Sequence, residues 1–355
     1  MTFLHNLCAA RHARAVALCC SLLLIACGSG HEMDAPPTSQ SIEATPKAPS
    51  IVSTVIRGFG PTSARFVIDK NGTFFIADAN EQRIWNTSLA DPSLKLLAFE
   101  NGLVNPRAIA VDSQGTAYVA NYGANNILKI SPSGAVSYFA GSPEGAAGFA
   151  DGEASSAKFN EPFGIAVDAQ GFVYVADTSN HAIRKISPDG YVSTLAGGPN
   201  PGNSDGAGGL NGPARFALPI DLAVHSDGSV FVADTFNQRI RKIAPDGQVS
   251  TYAGSSRGYE NGQALSAKFN TPISLAIDEA SNLYVADTFN HVVRQISADG
   301  VVTTLAGTGE VGHEDGEDLQ ASFHAPSGIA VDASGDVYVI DPPRQSIRKI
   351  SKPSS

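Results

Sequence analysis

Residues 161–197 read EPFGIAVDAQGFVYVADTSNHAIRKISPDGYVSTLAG, and this stretch decides the fold because the chain repeats it. Close copies occupy residues 218–254 (LPIDLAVHSDGSVFVADTFNQRIRKIAPDGQVSTYAG) and residues 271–307 (TPISLAIDEASNLYVADTFNHVVRQISADGVVTTLAG). Residues 105–141 and 325–351 carry further copies, and residues 63–88 carry the most divergent one. Self-similarity at this period indicates an architecture in which each copy forms one structural unit.

Each copy divides into four short segments with the pattern of β-strands. In residues 161–197 these segments are GIAVD, VYVAD, AIRKI and VSTLA, and the last two are joined by Pro188-Asp189-Gly190. Period-two alternation of β-branched residues predicts strands, and Asp-Gly between strands predicts a hairpin. We interpret the third segment, which alternates apolar with basic residues, as a strand with one wetter edge or face. Four antiparallel strands repeated around an axis make a propeller blade.

The copies resemble NHL repeats, a family named for an Asn-His motif that occurs here as Asn180-His181 and Asn290-His291. The resemblance covers about residues 51–350 and implies an all-β, six-bladed β-propeller. The sixth copy stops after its third strand at Ile350, whereas residues 51–58 (IVSTVIRG) match the fourth-strand pattern. We therefore predict that this N-terminal strand completes the last blade, because closing the ring removes exposed strand edges.

Composition fits one domain over residues 51–355. Of the 355 residues, 43% are hydrophobic and 16% charged, which excludes disorder for most of the chain. The 35 Gly and 21 Pro argue for many turns and against a helical bundle. The net charge of −10 disfavours a nucleic-acid partner, since like charges repel the phosphate backbone.

Residues 1–26 have the pattern of a signal peptide, with Arg11 and Arg14 before an apolar run. The run ends in Leu24-Ile25-Ala26-Cys27, which resembles a bacterial lipobox and implies lipidation of Cys27. The alternative is ordinary cleavage nearby that leaves Cys27 as a free thiol. Removing residues 1–26 leaves 22 basic and 34 acidic residues, a net charge of −12.

Residues 27–50 follow as the lipidated Cys and a Pro/Ser/Thr-rich tether, which we expect to be disordered. Gly28, in place of an Asp after the Cys, implies by resemblance an outer-membrane or surface location. The expected membrane partner is thus the lipid anchor at Cys27. All four cysteines lie in residues 1–27, so the folded part has no disulfide or thiol chemistry.

Four long connectors lie on one face of the predicted propeller, which we call the loop face. They span residues 141–160, 197–217, 254–270 and 307–324, and each contains Asp-Gly or Asn-Gly and ends in Ala-x-Phe. Either the Phe pins the connector to the blade and the acid forms a turn, or the acids bind calcium or a ligand. The Asp that ends the second strand of most copies is expected to accept backbone N–H groups of the following turn.

Departures from the repeat are the better candidates for function, and they follow the blade prolines at the mouth of the central channel. There we expect Arg65, Arg107, Phe163 and Asp221 to contact any small ligand. The alternative is an Arg–Asp pair that merely neutralises the channel.

A second candidate is an apolar patch for a protein or peptide partner. It combines Phe236 and Phe289, at the variable position of two adjacent loops, with Ile220 and Ile273. The alternative is that neighbouring connectors bury these side chains.

Some related propellers are enzymes, and the peptide-amidating lyases among them bind zinc through three His that follow the blade Pro. The matching positions here are Arg107, Phe163, Ile220, Ile273 and Ser327, so that chemistry does not carry over and no metal or cofactor is expected. We expect a monomeric, non-catalytic module that binds an unidentified protein or small ligand. The alternative is an exported lactonase-like hydrolase or lyase with its site at the channel mouth.

Overall fold

The computed structural model describes residues 49–59, 65–99, 102–342 and 346–352. Within these residues the strands form six antiparallel sheets of four or five strands each. The six sheets are the blades of one β-propeller, as the repeats predict. The predicted signal peptide, the lipid attachment site Cys27 and nearly all of the predicted tether lie outside the described residues.

The strands follow one another blade by blade. The chain starts with β1 (Ile51–Arg57), and blade one contains β2 (Arg65–Ile68), β3 (Thr73–Asp78), β4 (Arg83–Ser88) and β5 (Lys95–Phe99). Blade two contains β6 (Pro106–Val111), β7 (Ala117–Asn121), β8 (Asn126–Ile130) and β9 (Val136–Gly141), and blade three β10 (Pro162–Val167), β11 (Val173–Asp177), β12 (Ala182–Ile186) and β13 (Val192–Gly197). Blade four contains β14 (Gly206–Ala207), β15 (Asp221–Val224), β16 (Val230–Asp234), β17 (Arg239–Ile243) and β18 (Gln248–Ala253). Blade five contains β19 (Gly262–Gln263), β20 (Pro272–Ile277), β21 (Leu283–Asp287), β22 (Val292–Ile296) and β23 (Val301–Ala306), and blade six adds β24 (Gly316–Glu317), β25 (Gly328–Val331), β26 (Val337–Asp341) and β27 (Ser346–Ser351).

Strand β1 closes the ring. It pairs antiparallel with β27, with Val52 opposite Ile350 and Thr54 opposite Arg348, so it is the fourth strand of blade six. Its outer edge is covered in turn by β24, which pairs Ile51 with Glu317. The prediction that the N-terminal strand completes the last blade is confirmed.

The hydrophobic core lies between neighbouring blades. One cluster, for example, joins Tyr174 and Ile183 of blade three to Leu222 and Val232 of blade four. Because each sheet is covered on both faces by its neighbours, the strands carry few charged residues. Among the described residues, none forms a helix of the length and apolar character that crossing a membrane requires.

The arginine of the third strand is buried, contrary to the wetter edge or face expected from its alternation with apolar residues. Arg184 in β12 has no exposed side-chain surface. One terminal nitrogen donates to Asp177 at 2.7 Å, and the other to Asp151 of the preceding connector at 2.6 Å. Its guanidinium also lies 5.1 Å from the ring centre of Phe159. The alternation of residues along the strand does not predict this burial, because the connector and the blade cover the side chain together.

The same arrangement recurs in blades four to six. The buried arginines there are Arg241, Arg294 and Arg348, their strand-ending acids are Asp234, Asp287 and Asp341, and their connector partners are Asp205, Asn261 and Asp315. Each guanidinium lies over the connector phenylalanine, respectively Phe216, Phe269 and Phe323. The connector acid or amide and the Ala-x-Phe motif are therefore parts of the scaffold.

The strand-ending acid also binds a different segment from the one expected. Asp177 accepts the backbone N–H of Asn160, at the end of the connector, at 2.7 Å. The expected bonds to the following turn occur in blade one, where Asp78 accepts the N–H groups of Asn80 and Glu81. The acid holds the connector in blades three to six because a long connector reaches it there.

Blades one and two lack both the long connector and the arginine. The position of Arg184, opposite Val175, is taken in blade two by Leu128, opposite Val119. The strand-ending acid is replaced at the same time by Asn121, whose side-chain oxygen accepts the N–H of Val104 at 2.7 Å. Blade two thus loses the buried cation and the buried anion together, in keeping with the cost of an unpaired buried charge. Blade one keeps the acid, Asp78, which accepts the indole N–H of Trp85 at 3.4 Å, and Trp85 takes the position of Arg184.

Burial raises the pKa of the Asp177, Asp234 and Asp287 carboxyl groups to about 6, although their arginine partners oppose the shift. At neutral pH these groups are therefore ionised and paired. A buried carboxylate of this kind depends on its guanidinium, since the uncompensated charge is costly in the protein interior.

We predict that Arg184→Leu lowers the free energy of unfolding by about 3–5 kcal/mol, because it leaves the Asp177 carboxyl without its cation. The double variant Arg184→Leu/Asp177→Asn reproduces the Leu128/Asn121 pair of blade two and is expected to recover at least about 1.5 kcal/mol. Urea denaturation followed by circular dichroism at pH 7 measures both. A double variant no more stable than the single one would show that the unpaired charge is not the cause.

Candidate functional site

The first strands of the six blades surround the central channel. Strands β2, β6, β10, β15, β20 and β25 line a cavity of about 210 Å³. Its wall is largely apolar, with Val67, Val111 and Ile277 among the side chains, and Arg65 and Asp221 are its charged residues. The loop face, with the connectors, lies at the end of the channel where Arg65 and Asp221 stand at the start of their strands.

Arg65 crosses the channel from blade one and pairs with Asp221 of blade four. Their side chains form a salt bridge, and the two residues are only 5% and 7% exposed. Arg65 also donates to the Ser274 hydroxyl at 3.0 Å and to the carbonyl oxygen of Ile273. The Arg–Asp pair that the sequence left open is therefore present, and contact of these residues with a ligand stays a prediction.

Ser274 extends this pair into a network. Its hydroxyl donates to Asp221 Oδ2 at 2.8 Å and accepts the backbone N–H of Ile329 at 3.2 Å. Asp221 Oδ2 also accepts the backbone N–H of Leu275 at 3.0 Å. Residues of blades one, four, five and six are thereby joined at the channel mouth, and we call Arg65, Asp221 and Ser274 the channel plug.

Aromatic side chains stack beside the plug. The Arg65 guanidinium lies 5.1 Å from the ring centre of Phe163, and that of Arg107 lies 5.4 Å from the same ring. Tyr122 meets Phe163 edge to face at 5.9 Å and lies 5.1 Å from the Arg107 guanidinium. Such cation–π contacts are each worth about 0.5–2 kcal/mol. All four predicted ligand-contact residues thus lie at the channel mouth.

The residues of the predicted apolar patch separate into two groups. Ile220 and Ile273 are buried with Phe163 in a cluster at the channel mouth, against which Tyr122 packs. Phe236 is 43% exposed at the tip of its loop, and Phe289 is partly exposed at the matching position of blade five. The proposed surface of four side chains is therefore wrong for the two isoleucines, which fill the space above the channel, whereas the two phenylalanines keep an exposed fraction.

Two residues of this site, Ser274 and Tyr122, are not among the predicted ligand contacts. Ser274 lies two residues after the blade proline Pro272, and a serine at that position does not indicate that it joins blade five to blades one, four and six. Tyr122 replaces the threonine that follows the strand-ending acid in blades three to five, and this departure was the available signal.

The chemistry of the mouth is limited by the plug. Asp221 Oδ2 pairs with Arg65 and accepts hydrogen bonds from the Ser274 hydroxyl and the Leu275 N–H. Within the described ranges, no group of three or more His, Cys, Asp or Glu side chains is placed to hold a metal ion.

Gly164 permits the close packing of blades three and four beside the plug. A Cβ atom on Gly164 would lie 2.7 Å from Asp221 Cα, 2.7 Å from Asp221 Oδ1 and 2.7 Å from the carbonyl oxygen of Ile220. Two of these three neighbours are backbone atoms that cannot move aside alone. The absence of a side chain at position 164 is thus needed for the plug geometry.

Comparison with known proteins identifies the repeats. The Teneurin NHL domain family matches residues 144–204, and the NHL repeat family matches residues 216–243. NHL repeat-containing protein 2 of Gallus gallus is 26% identical over 338 residues, covering 69% of this chain and 46% of that protein. The chain spans less than half the length of the curated relatives that it matches. The chain contains NHL repeats, as the resemblance implied.

Solved structures share the fold. An auxiliary nutrient binding protein from Bacteroides thetaiotaomicron superposes with a TM-score of 0.65 at 14% identity, covering 87% of this chain and 78% of that chain. A gluconolactonase from Xanthomonas campestris gives a TM-score of 0.60 at 14% identity, covering 90% and 99%. The propeller fold is thus found in proteins described as binding proteins and as enzymes, and the site must distinguish between them.

We predict that Gly164→Ala destabilises the protein by about 1–3 kcal/mol, because the added methyl group must displace backbone of blade four. Gly198→Ala is the matched control, since a Cβ atom at Gly198 meets nothing within 4 Å. Thermal and urea unfolding of both variants measures the difference. Equal stability of the two variants would contradict the close approach at the plug.

Proposed function

We propose that the protein is an exported, membrane-tethered propeller that binds a protein or a small ligand on its loop face and does not catalyse a reaction. The observation that carries this proposal is the channel plug. Arg65 and Asp221, the charged residues that a catalytic site in the channel would use, are buried and paired with each other. Catalysis by Asp221 as a general base would require breaking this pair first.

The exposed groups of the loop face suit binding. Phe236 presents an aromatic ring at a loop tip, and the partly exposed side chains of Tyr122 and Arg107 border the buried cluster at the channel mouth. Aromatic residues and arginine are the side chains most enriched where binding energy is concentrated. The similarity in fold to nutrient-binding proteins supports a ligand-binding role, whereas the similarity to a gluconolactonase keeps an exported hydrolase or lyase as the alternative.

The tether follows from the N-terminal sequence. The lipobox-like residues 24–27 place a lipid on Cys27, and residues 27–50 then separate the lipid from the first strand. At about 3.4 Å per residue, a fully extended segment of this size spans on the order of 80 Å. The propeller would thus stay close to a bacterial membrane, with the outer membrane favoured by Gly28, and it would be free to turn its loop face towards a partner.

We predict that Phe236→Ala reduces capture of envelope components by the purified protein at least about fivefold, since an exposed aromatic side chain that a partner covers on binding contributes at least about 1 kcal/mol. Tyr191→Ala is the matched control, because Tyr191 is an exposed aromatic residue beside the hairpin turn between the third and fourth strands of blade three. Quantitative mass spectrometry of the captured components measures both variants against wild type.

Two results would contradict the proposed function. Capture lost equally in both variants would show that the loop face is not the binding surface. Turnover of a panel of lactones and esters by the wild-type protein, abolished by Asp221→Asn in a variant that still folds, would instead establish the enzyme.

We predict that Cys27→Ser moves the protein from the membrane fraction to the soluble fraction and abolishes incorporation of labelled palmitate. The reason is that the thioether of Cys27 is the proposed attachment point of the lipid. Cell fractionation and labelling measure the change, with Cys20→Ser as the control. Membrane association that survives Cys27→Ser would exclude the lipid anchor.

A further inference from the structure

The connector into blade six contains two histidines where the equivalent connectors contain none. His313 occupies the position of Phe149 and Tyr259, three residues before the Gly of the Asp-Gly or Asn-Gly pair in its connector. His324 follows the buried Phe323 and occupies the position of Asn160 and Asn270. Both histidines therefore replace residues that do not titrate between pH 5 and 8, in one blade only.

The structure brings the two histidines together. Their rings stack with centroids 5.5 Å apart and an interplanar angle of 21°. His313 Nδ1 lies 3.1 Å from Asp341 Oδ2, and the backbone N–H of His324 donates to Asp341 Oδ1 at 3.0 Å. The carbonyl oxygen of His324 contacts Nδ1 of His291, which belongs to blade five.

Arg348 and the strand-ending acid Asp341 are farther apart than the corresponding pairs in the other blades. Arg348 Nη1 lies 3.5 Å from Asp341 Oδ2, whereas the equivalent distances are 2.7 Å for Arg184 and 2.9 Å for Arg294. His313 shares the same carboxylate oxygen that Arg348 approaches. A histidine thus contacts the carboxylate oxygen that the arginine approaches more closely in the other blades.

At acidic pH, protonation of His324 would add a positive charge close to Arg348. In the described part of the chain, the titratable and charged side chains around His324 are His313 on its own connector, Asp341 at the end of β26, Arg348 on β27 and His291 of blade five. Protonation of His324 would place an imidazolium ring face to face with the His313 ring in a corner that also holds the Arg348 guanidinium, with Asp341 as the nearby anion. Burial, followed by the charge of His313, lowers the pKa of His324.

The same connector covers the strand that closes the ring. Within it, Asp315 accepts the backbone N–H of Thr54 at 2.9 Å, and the N–H of Asp318 donates to the Ser50 carbonyl oxygen at 2.9 Å. Strand β24 pairs with β1 immediately beside these bonds. Release of the connector would therefore uncover the outer edge of β1.

We infer that residues 307–324 form an acid-sensitive clasp, in which protonation of His324 releases the connector from blade six and exposes the edge of the closing strand. The direction follows from linkage. Because the docked form lowers the pKa of His324, the released form binds the proton more readily, so acidification below about pH 6.5 favours release and neutral pH favours docking. The inference stands on this corner of the structure and does not depend on the proposed function.

Hydrogen exchange of the full chain at pH 7, 6 and 5 tests the clasp. The reporting amides are His324 and Thr54, bonded to Asp341 and Asp315, and the internal references are Asn160 and Thr194, bonded to Asp177 and Asp151 in blade three. Protection factors, corrected for the intrinsic rate at each pH, remove the general effect of acid. In blade three the raised pKa of Asp177 acts in the opposite sense, since acid favours its buried form.

The expected result is a fall in blade-six protection of up to about 30-fold from pH 7 to pH 5, a limit set by the 1.5 units between pH 5 and an ordinary histidine pKa of about 6.5. Blade-three protection should not fall. A decrease of less than about threefold in blade six, or an equal decrease in both blades, would overturn the clasp, and wild-type protein alone decides this outcome.

Two variants taken from the other blades identify the responsible group. His324→Asn, which installs the residue found at Asn160 and Asn270, should abolish the pH response. His313→Tyr, which installs the residue found at Tyr259, should weaken the response and leave part of it, because burial of His324 remains. An undiminished response in His324→Asn would show that another group titrates and would overturn the assignment.

Discussion

The structure depends on a guanidinium buried between a blade and the connector that covers it. Transfer of an arginine side chain out of water costs several kcal/mol. For Arg184 this cost is offset by ion pairs with two carboxylates, hydrogen bonds to two backbone carbonyl groups and a cation–π contact with an aromatic ring. These contacts come from the end of the second strand and from two separate points of the connector, so the side chain fixes the second strand, the third strand and the connector relative to one another. Blades three to six repeat this solution, whereas blades one and two have neither the long connector nor the arginine.

The same physical rule governs the centre of the ring. Arg65 and Asp221 come from blades on different sides of the channel, and each is tolerated in an apolar setting because the other neutralises it. The Ser274 hydroxyl then links this pair to blades five and six through hydrogen bonds to Arg65, Asp221 and the backbone N–H of Ile329. Arg65 and Asp221 are therefore occupied by each other, and this pairing is the basis of the binding role that we propose. The exposed aromatic and polar groups around the mouth are left as the surface available to a partner.

Much of this architecture was predictable from the repeats. Strand positions, blade number and ring closure follow from alternation, turn residues and the missing fourth strand of the last copy, all of which are local patterns. The burial of Arg184 was not predictable in the same way, since a strand that alternates apolar and basic residues has the same pattern whether its basic side is wet or covered. Ile220 and Ile273 were misplaced for a related reason: an apolar residue after a blade proline can face solvent or the channel, and the facing blade decides which.

The sequence by itself determined that this protein is a six-bladed ring whose N-terminal strand completes its last blade, because a repeated hydrophobic pattern and a strand count need no information about contacts between blades. It also brought the candidate ligand residues to one mouth of the channel. Only the tertiary structure decided that Arg65 and Asp221 neutralise each other, that the third-strand arginines hold the connectors, and that His313 and His324 meet at Asp341. These are contacts between residues of separate blades or of a connector and a blade, and their energies depend on burial and distance, which a linear sequence does not contain.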